Sequence, residues 1–266
     1  MTTPEKKEPT AVGAEIDGKT VREVIRVRGI RKVMAEHMHR SLQVSAQLSS
    51  SMGIDMTEVI NCRKTLNEQY KDKDIHFTFT DLFAKIVAEA LKDNPLVNSS
   101  IVDNEILIWD DINLGVALDF ETRDGSRGLI VPILRNADKK SVVEINQALE
   151  ELKQKGRDRK IMPDDTMGGT FTLTNTGALG GGGKVPGRAT GMASSGTPVI
   201  NQPEVGIFGT GGYADTPVVV DGQLAIRPIM YCNFTYDHRV LTGADAAMFS
   251  GSIYRHMMNP TPLMAV

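Results

Sequence analysis

The segment Tyr236–Asp245 contains the side chain best suited to proton transfer in this chain, His238. A histidine has its ordinary pKa near neutrality, so it can accept a proton and return it at neutral pH. The apolar run before it (229–235) predicts a strand, and the residues after it have the pattern of a helix. A histidine at such a junction has a rigid mount, and the charges of Asp237 and Arg239 could fix its ring. The alternative is a purely structural histidine bonded to a neighbouring carboxylate.

Threonines recur at alternate positions in a second segment, Gly168–Thr174. Its alternation predicts a strand with threonines on one face, although Thr174 by itself would be an ordinary strand residue. The glycine-rich segment 180–195 carries Lys184 and Arg188, and its backbone N–H groups and charges suit an anion. It lacks the Gly-Lys-Ser/Thr and the strand–loop–helix context of a phosphate-binding loop. We therefore expect a flexible lid or a partner-binding insertion.

Composition excludes several classes of function. The formal net charge of -3 gives no electrostatic reason to expect nucleic acid or an anionic membrane as a partner. No apolar run approaches the ~20 residues needed to span a bilayer, and the N-terminus lacks the apolar core of a secretory signal. Cys62 and Cys232 lie far apart without a partner motif, so we expect neither a disulfide nor a metal site. The expected compartment is the cytoplasm, or the mitochondrial matrix in a eukaryote.

The elements that must position these residues follow from hydrophobic periodicity. Residues 1–23 are polar and predict a flexible tail or linker remnant before one folded domain at 24–266, a length that can bury a large core. Helices are predicted over 30–42, 56–70 with Thr57 as N-cap, 80–93, 141–156 with a capping box of Ser141 and Glu144, and from 246. Strands are predicted over 46–55, 100–102, 106–109, 113–120, 128–134, 168–174, 197–200, 205–209, 218–226 as a hairpin, and 229–235. Because the predicted helices and strands interleave along the chain, we expect a two-layer α/β fold with helices packed on a mixed sheet.

Six motifs in order resemble those of the dihydrolipoyl acyltransferases, the core subunits of 2-oxoacid dehydrogenase complexes, which share their fold with chloramphenicol acetyltransferase. The C-terminal motif resembles the family signature Asp-His-Arg-x-x-Asp-Gly-Ala, with five of six fixed positions matched by Asp237, His238, Arg239, Gly243 and Ala244. The other five are Arg28–Ala35, Asn113–Ala117, Gly128–Pro132, Gly168–Asn175 and Pro198–Val205. The resemblance extends from about Val24 to the C-terminus and implies a chloramphenicol acetyltransferase-like α/β fold.

The resemblance implies transfer of an acyl group between the thiol of a dihydrolipoyl arm and the thiol of coenzyme A. His238 would be the general base that takes the proton of a thiol whose pKa is around 8.5. Thr174, where the family usually has serine, would donate to the tetrahedral oxyanion, and such a donor is worth roughly 3–4 kcal/mol of barrier. The family's coenzyme A contacts map onto Arg63, Thr78, Asp119 and Asn175. For Arg63 a surface ion pair is the alternative to this contact.

The resemblance also implies an assembly. Family members form homotrimers in which the histidine of one chain and the oxyanion donor of its neighbour share a site. The trimers often build cages through apolar C-terminal segments, and Leu263–Val266 is compatible with that or with folding back on its own subunit. The implied partners are a 2-oxoacid decarboxylase, a dihydrolipoyl dehydrogenase and a lipoyl domain. Lipoyl and subunit-binding domains do not precede this domain, so we expect either the catalytic core of a longer chain or a stand-alone protein served by a separate carrier.

One position departs from the signature: Thr242 stands where the family has an acidic residue. The substitution at this candidate catalytic position could misorient the His238 ring or lower its basicity, although Asp237, Arg239 and Asp245 remain close in sequence. The same form resembles the acyltransferase-like domain of actinobacterial 2-oxoglutarate dehydrogenases, which favours a succinyl group. Two alternatives stay open: a catalytically inactive structural core or scaffold, and a same-fold acyltransferase with another small-molecule acceptor.

Overall fold

A computed structural model describes residues 11–121, 127–176 and 196–264. The chain divides into two units, Met1–Glu36 and His37–Val266. In the first unit, β1 (Glu15–Ile16) and β2 (Lys19–Thr20) form a short antiparallel hairpin. Its two-residue turn has φ of 50° and 73°, the backbone that a two-residue hairpin turn of type I′ requires. The structure thus gives part of the sequence-predicted tail a local fold, and the domain boundary at residue 24 remains a prediction.

All five predicted helices are present. The capping box predicted for Ser141 is confirmed, because its Oγ accepts from the backbone N–H of Glu144. The predicted N-cap Thr57 is wrong: Met56 holds that position, and the Asp55 carboxylate accepts from the Thr57 backbone N–H at 2.9 Å and its hydroxyl at 2.6 Å. The helices are α1 (Gly29–Val44), α2 (Thr57–Gln69), α3 (Phe79–Asp93), α4 (Val142–Arg157) and α5 (Gly243–Met258).

The predicted mixed sheet is confirmed as a six-stranded sheet in the second unit, with the strand order β3-β12-β11-β10-β6-β9. Strand β10 runs parallel to both of its neighbours, and the other pairings are antiparallel. Two separate two-stranded sheets complete the fold. The strands are β3 (Gln47–Asp55), β4 (Ser99–Val102), β5 (Glu105–Ile108), β6 (Leu114–Val116), β7 (Leu118–Glu121), β8 (Arg127–Ile130), β9 (Ile133–Leu134), β10 (Phe171–Asn175), β11 (Gly206–Val220) and β12 (Gln223–Asp237).

Three strand predictions are wrong. The segments 113–120 and 128–134 each divide in two, because β7 and β8 leave the large sheet to pair with each other. Leu129 of β8 is therefore 48% exposed. No strand forms over 197–200, because side chains serve that backbone instead. The Ser41 hydroxyl donates to the Ile200 carbonyl at 2.6 Å, and the Gln47 side chain accepts from the Ile200 N–H.

The core lies between the helices and one face of the large sheet. Phe249 of α5 packs on the sheet, with its ring centroid 4.7 Å from that of Phe234 and 5.5 Å from that of Phe171. Gly206 lies under these rings, where an added Cβ would come within 2.8 Å of Phe171. Because side chains alternate along a strand, Thr172 and Thr174 face the other side of the sheet. This second face carries the polar groups described next.

The apolar end of the chain packs on its own subunit as far as it is described: Met264 is 4% exposed and belongs to the core. Leu263 is partly buried against the same core. This favours the folding-back alternative for the segment up to residue 264. Across the described ranges, no helix has the length and apolar character to cross a bilayer.

Candidate active site

The His238 ring lies where β12 ends, on the surface of the subunit. Its backbone N–H donates to the Ala46 carbonyl at 2.8 Å, which ties the turn to the start of β3. The ring Nδ1 is 2.9 Å from the Leu241 carbonyl oxygen. A carbonyl oxygen only accepts, so Nδ1 must carry the hydrogen and Nε2 keeps its lone pair. The ring is thus held in the tautomer that a general base needs, and Nε2 has no hydrogen-bond partner among the residues that the structure describes.

The two charges that flank the histidine do not orient it, contrary to the sequence-based expectation. Asp237 is 1% exposed and pairs with Arg239: the Nε of Arg239 is 3.0 Å from each carboxylate oxygen and its Nη2 is 2.6 Å from one. The bond to Asp237 raises the pKa of Arg239. The same carboxylate accepts from the Ala46 N–H at 3.2 Å. The pair therefore braces the strand end, and a backbone carbonyl orients the ring.

Thr242 is the N-cap of α5. Its hydroxyl donates to the Asp245 carboxylate at 2.6 Å, its backbone N–H donates to the same oxygen at 2.8 Å, and the hydroxyl accepts from the Asp245 N–H at 3.3 Å. These bonds from the hydroxyl and then the backbone of Thr242 lower the pKa of Asp245. The residue that departs from the family signature thus forms a reciprocal capping box with Asp245. This capping box stabilises the N-terminus of α5, the helix that follows the histidine.

Thr174 lines a cavity of about 330 Å³ on the face of the sheet opposite the core. Thr172, Asn201 and Asn233 contribute further polar groups to its wall. Most of the remaining lining is apolar, from Met38, Ala117, Leu129, Val131, Pro198, Val199 and Ile207. A mostly apolar cavity in which a few hydroxyl and amide groups can orient a ligand is typical of small-molecule sites.

Within one chain His238 and Thr174 lie far apart. Across the sheet Thr174 pairs with Gly209, which pairs with Asn233. His238 comes five residues after Asn233, so it lies roughly 16 Å further along the strand direction at about 3.3 Å per residue. The cavity lining does not include His238. A site that uses both side chains on one reacting atom therefore needs a second copy of the chain.

Three of the four expected coenzyme A residues lie around the first turn of α3. Thr78 caps this helix, and its hydroxyl donates to Asp81 at 2.9 Å. The Asn175 amide donates to the Thr80 hydroxyl at 3.0 Å. The Arg63 guanidinium lies 4.0 Å above the Phe79 ring. Its buried Nε has no hydrogen-bond partner in the described part of the chain.

The fourth expected coenzyme A residue, Asp119, is exposed on β7. That strand begins beside β10, since the Ala117 N–H donates to the Leu173 carbonyl at 2.9 Å. The backbone thus brings Asp119 to the same end of the sheet as Asn175. The glycine-rich segment 180–195, with Lys184 and Arg188, lies outside the described residues.

Sequence reasoning missed Glu204, a carboxyl group that is 2% exposed behind the cavity wall. One of its oxygens lies 2.6 Å from the Thr172 hydroxyl, and the other accepts from the Asn201 amide at 3.2 Å. The side-chain oxygen of Asn201 in turn lies 2.9 Å from His37 Nε2. Burial raises the pKa of Glu204 to about 8, against the lowering effect of these two bonds. A glutamate within the otherwise uncharged segment Pro198–Val205 was the only sequence signal.

Within the described ranges, no group of three or more histidine, cysteine or carboxylate side chains is placed to hold a metal ion. Cys62 and Cys232 are both free and buried. Burial raises the pKa of both thiols, that of Cys232 to about 12, so neither is a thiolate at neutral pH. The polar side chains that line the cavity carry hydroxyl and amide groups.

Residues 19–265 match the model of one protein family, the 2-oxoacid dehydrogenases acyltransferase (catalytic domain). The succinyltransferase component of the 2-oxoglutarate dehydrogenase complex from Rickettsia typhi is 33% identical over 264 residues, which cover 99% of this chain and 62% of that protein. The acetyltransferase component of the pyruvate dehydrogenase complex from Corynebacterium glutamicum is 36% identical over 86% of this chain and 32% of that protein. The cubic core of a pyruvate dehydrogenase multienzyme complex superposes with a TM-score of 0.80 at 27% identity, covering 97% of this chain and 100% of that chain. This chain thus spans 62% or less of the two named relatives.

Proposed function

This chain belongs to the family of 2-oxoacid dehydrogenase acyltransferases, and on that premise we propose that it transfers an acyl group between a dihydrolipoyl thiol and the thiol of coenzyme A. The observation that carries the proposal is the His238 ring. Its Nδ1 is committed to the Leu241 carbonyl, so Nε2 presents a lone pair at the subunit surface. A lone pair presented in this way can accept the proton of a thiol that attacks as a thiolate.

In the proposed reaction, His238 Nε2 takes the proton of the coenzyme A thiol as the sulfur attacks the thioester carbonyl of the acylated lipoyl arm. The carbonyl oxygen becomes negatively charged and accepts a hydrogen bond from the Thr174 hydroxyl, the expected oxyanion donor. Collapse of the intermediate breaks the bond to the lipoyl sulfur, which takes the proton back from His238. Throughout, the Leu241 carbonyl stabilises the protonated imidazole, because a hydrogen bond to a charged donor is stronger than one to a neutral donor.

We place the complete site between two copies of the chain. The separation of His238 and Thr174 supports this arrangement, because within one chain they lie roughly 16 Å apart along the strand direction. The base of one subunit then serves the cavity of its neighbour, and a closed homotrimer repeats the same interface three times. The cavity's apolar walls suit the hydrocarbon part of the lipoyl arm and the acyl group.

Coenzyme A would lie at the first turn of α3. The buried Arg63 Nε that lacks a partner among the described residues supports a phosphate contact, since arginine binds phosphate with several N–H groups at once. Thr78 and Asn175 already have partners within the chain and would shape the site, with Asp119 beside them. A lipoyl domain, a 2-oxoacid decarboxylase and a dihydrolipoyl dehydrogenase are the proposed partners, in the cytoplasm or the mitochondrial matrix. Thr242, as the N-cap behind the base, would keep it in place.

The test is a thiol-acyl transfer assay with acetyl-, succinyl- and isobutyryl-coenzyme A and dihydrolipoamide. We expect His238→Ala to lose at least two orders of magnitude in kcat with an unchanged oligomer, because a general base contributes 10²–10⁴-fold. His256→Ala is the matched control, because that histidine lies in the last turn of α5 and contacts Asp93 of α3. Transfer that survives undiminished in His238→Ala would refute the assignment. An oligomer of wild-type protein that transfers none of the three groups would favour a scaffold.

Subunit complementation tests the shared site. His238→Ala and Thr174→Ala chains, each nearly inactive, are co-expressed with different tags and the mixed oligomers are purified. In a mixed closed trimer about a third of the interfaces, one in each trimer, receive both intact side chains. We expect about that fraction of wild-type activity to return. A mixture no more active than its components would contradict a site shared between chains.

A further inference from the structure

The cavity that holds Thr174 has a buried carboxyl group behind it, and the acyl-transfer steps above make no use of it. Glu204 is 2% exposed. Its backbone is fixed from two directions, because the Glu204 N–H donates to the Asn201 carbonyl and the next N–H donates to the Ser99 carbonyl. A carboxyl group that is both buried and rigidly mounted is costly to place, which raises the question of what it does.

The side chain of Glu204 joins two groups of the cavity wall. Thr172 meets one carboxyl oxygen and Asn201 the other, at 2.6 and 3.2 Å, and both residues line the cavity. Thr172 is two residues before Thr174 on β10, so both hydroxyls belong to the same face of the strand. Asn201 leads on to the half-buried His37. Glu204 is thus the link between the strand of the oxyanion donor and the opposite wall.

Burial favours the neutral form of Glu204 and outweighs the opposite effect of its two hydrogen-bond partners. Thr172 faces it from β10 and Asn201 from the preceding turn, and an added Cβ on Gly169 would lie 3.0 Å from its carboxyl. From β4, the Ser99 and Ser100 side chains are committed to the Leu96 carbonyl and the Trp109 indole. From α1, the titratable side chain of His37 is connected to Glu204 through the side chain of Asn201. No charged group is among the causes of the shift in the pKa of Glu204; an unpaired buried carboxyl stays protonated.

We propose that Glu204 is a positioning residue of the acyl-transfer site, acting as a neutral acid that donates to the Thr172 hydroxyl and accepts from Asn201. In this state Thr172 is a hydrogen-bond acceptor from Glu204, and its own hydroxyl hydrogen is available to the cavity beside Thr174. When Glu204 loses its proton, Thr172 must donate to the carboxylate instead. The donor turns away from the cavity, and a negative charge appears close to the place where the oxyanion forms. The inference rests on the proposed function.

The proposal predicts a pH dependence that depends on this one side chain. In wild type, kcat falls as the pH rises through the pKa of Glu204, near 8. Glu204→Gln keeps a donor toward Thr172 and an acceptor toward Asn201 but cannot ionise. We expect its kcat at pH 7 to be within about twofold of wild type and the alkaline fall to be absent. A merely structural role for Glu204 would not move the pH profile.

The experiment measures kcat and KM of the assembled protein from pH 6 to 9.5 for wild type, Glu204→Gln, Glu204→Ala and the control Glu58→Gln, an exposed glutamate on α2. Glu204→Ala should lower kcat by roughly 10- to 100-fold with little change in KM, as a displaced donor does. If the alanine variant does not fold, Thr172→Val takes its place, because it removes the hydroxyl through which Glu204 acts and keeps the branched shape.

The outcomes separate the two hypotheses. Wild-type protein without transfer activity would refute the proposed function. Active wild type together with a Glu204→Gln variant that keeps the alkaline fall would overturn the positioning role. So would an active Glu204→Ala or Thr172→Val variant with wild-type kcat. Loss of the alkaline fall in Glu204→Gln alone, with the Glu58→Gln profile unchanged, would support it.

Discussion

Glu204→Gln should change how the free energy of unfolding depends on pH. The substitution replaces a buried carboxyl by an amide of nearly the same shape, and both hydrogen-bond partners can still be satisfied. The pKa of this carboxyl rises from an ordinary 4.5 to about 8, mainly through burial. Between these two values the unfolded chain has released the proton and the folded chain keeps it.

Linkage fixes the sign and size of the effect. The folded state binds more protons than the unfolded state between about pH 4.5 and 8, so the free energy of unfolding falls with rising pH in this window and is level on either side. One pKa unit corresponds to about 1.4 kcal/mol. At pH 7, two and a half units above 4.5, the cost in wild type is about 3 kcal/mol. Glu204→Gln lacks this slope, so it should match wild type near pH 4.5 and exceed its stability by about that amount at pH 7.

Urea denaturation at several pH values between 4.5 and 8.5 measures this difference, at one fixed protein concentration because oligomerisation contributes to apparent stability. Glu58→Gln is again the control and should follow wild type. The reasoning would be refuted by curves for wild type and Glu204→Gln that stay parallel across the range. A variant less stable than wild type at pH 7 would likewise mean that the folded protein holds an ionised Glu204.

Two further substitutions test the capping of α5 and the proposed phosphate contact. Thr242→Ala removes the side-chain half of the capping box and should cost about 1 kcal/mol in unfolding free energy, whereas Thr242→Ser keeps the hydroxyl and should cost much less; equal losses would show that the hydroxyl does not cap the helix. Arg63→Ala should raise KM for coenzyme A about tenfold and leave kcat unchanged, as loss of a uniform binding contact does. Arg157→Ala on α4 is its control, and an unchanged KM in Arg63→Ala would place the phosphate elsewhere.

The sequence was sufficient for elements whose causes are local. The hairpin around Asp221 and Gly222 follows from two residues that tolerate positive φ, and the structure gives them 51° and 77°. The Ser141 capping box is another such case. Strand pairing is not local: β7 and β8 leave the large sheet because they find each other, and the segment 197–200 makes no ladder because Ser41 and Gln47 satisfy its backbone. Those partners lie far away in the chain.

The candidate site divides in the same way. Two of the family motifs pointed to His238 and Thr174, but the group that orients the imidazole is a backbone carbonyl, which no residue type reveals. The distance between the two residues follows from strand register. Glu204 was overlooked because a glutamate is usually exposed, and only the packed structure shows that this one is buried. Its chemistry is a consequence of burial, and burial is a tertiary property.

The departure at Thr242 can be explained through one peptide group. The peptide between Leu241 and Thr242 is planar, so its C=O and N–H cannot turn independently. Its carbonyl accepts from His238 Nδ1 at 2.9 Å, and its N–H donates to the Asp245 carboxylate at 2.8 Å. The carboxylate therefore fixes the plane that fixes the imidazole, and its negative charge polarises the carbonyl that faces the ring.

In the family signature an acidic residue stands at position 242 itself. Here the acidic side chain is three residues later, at Asp245, and Thr242 secures it by donating from both its hydroxyl and its backbone. Because Asp245 acts on the ring through a peptide rather than by contact, the threonine is compatible with a correctly oriented base. The departure thus does not by itself argue for an inactive scaffold: the imidazole keeps its tautomer, its partner and its exposure to a substrate.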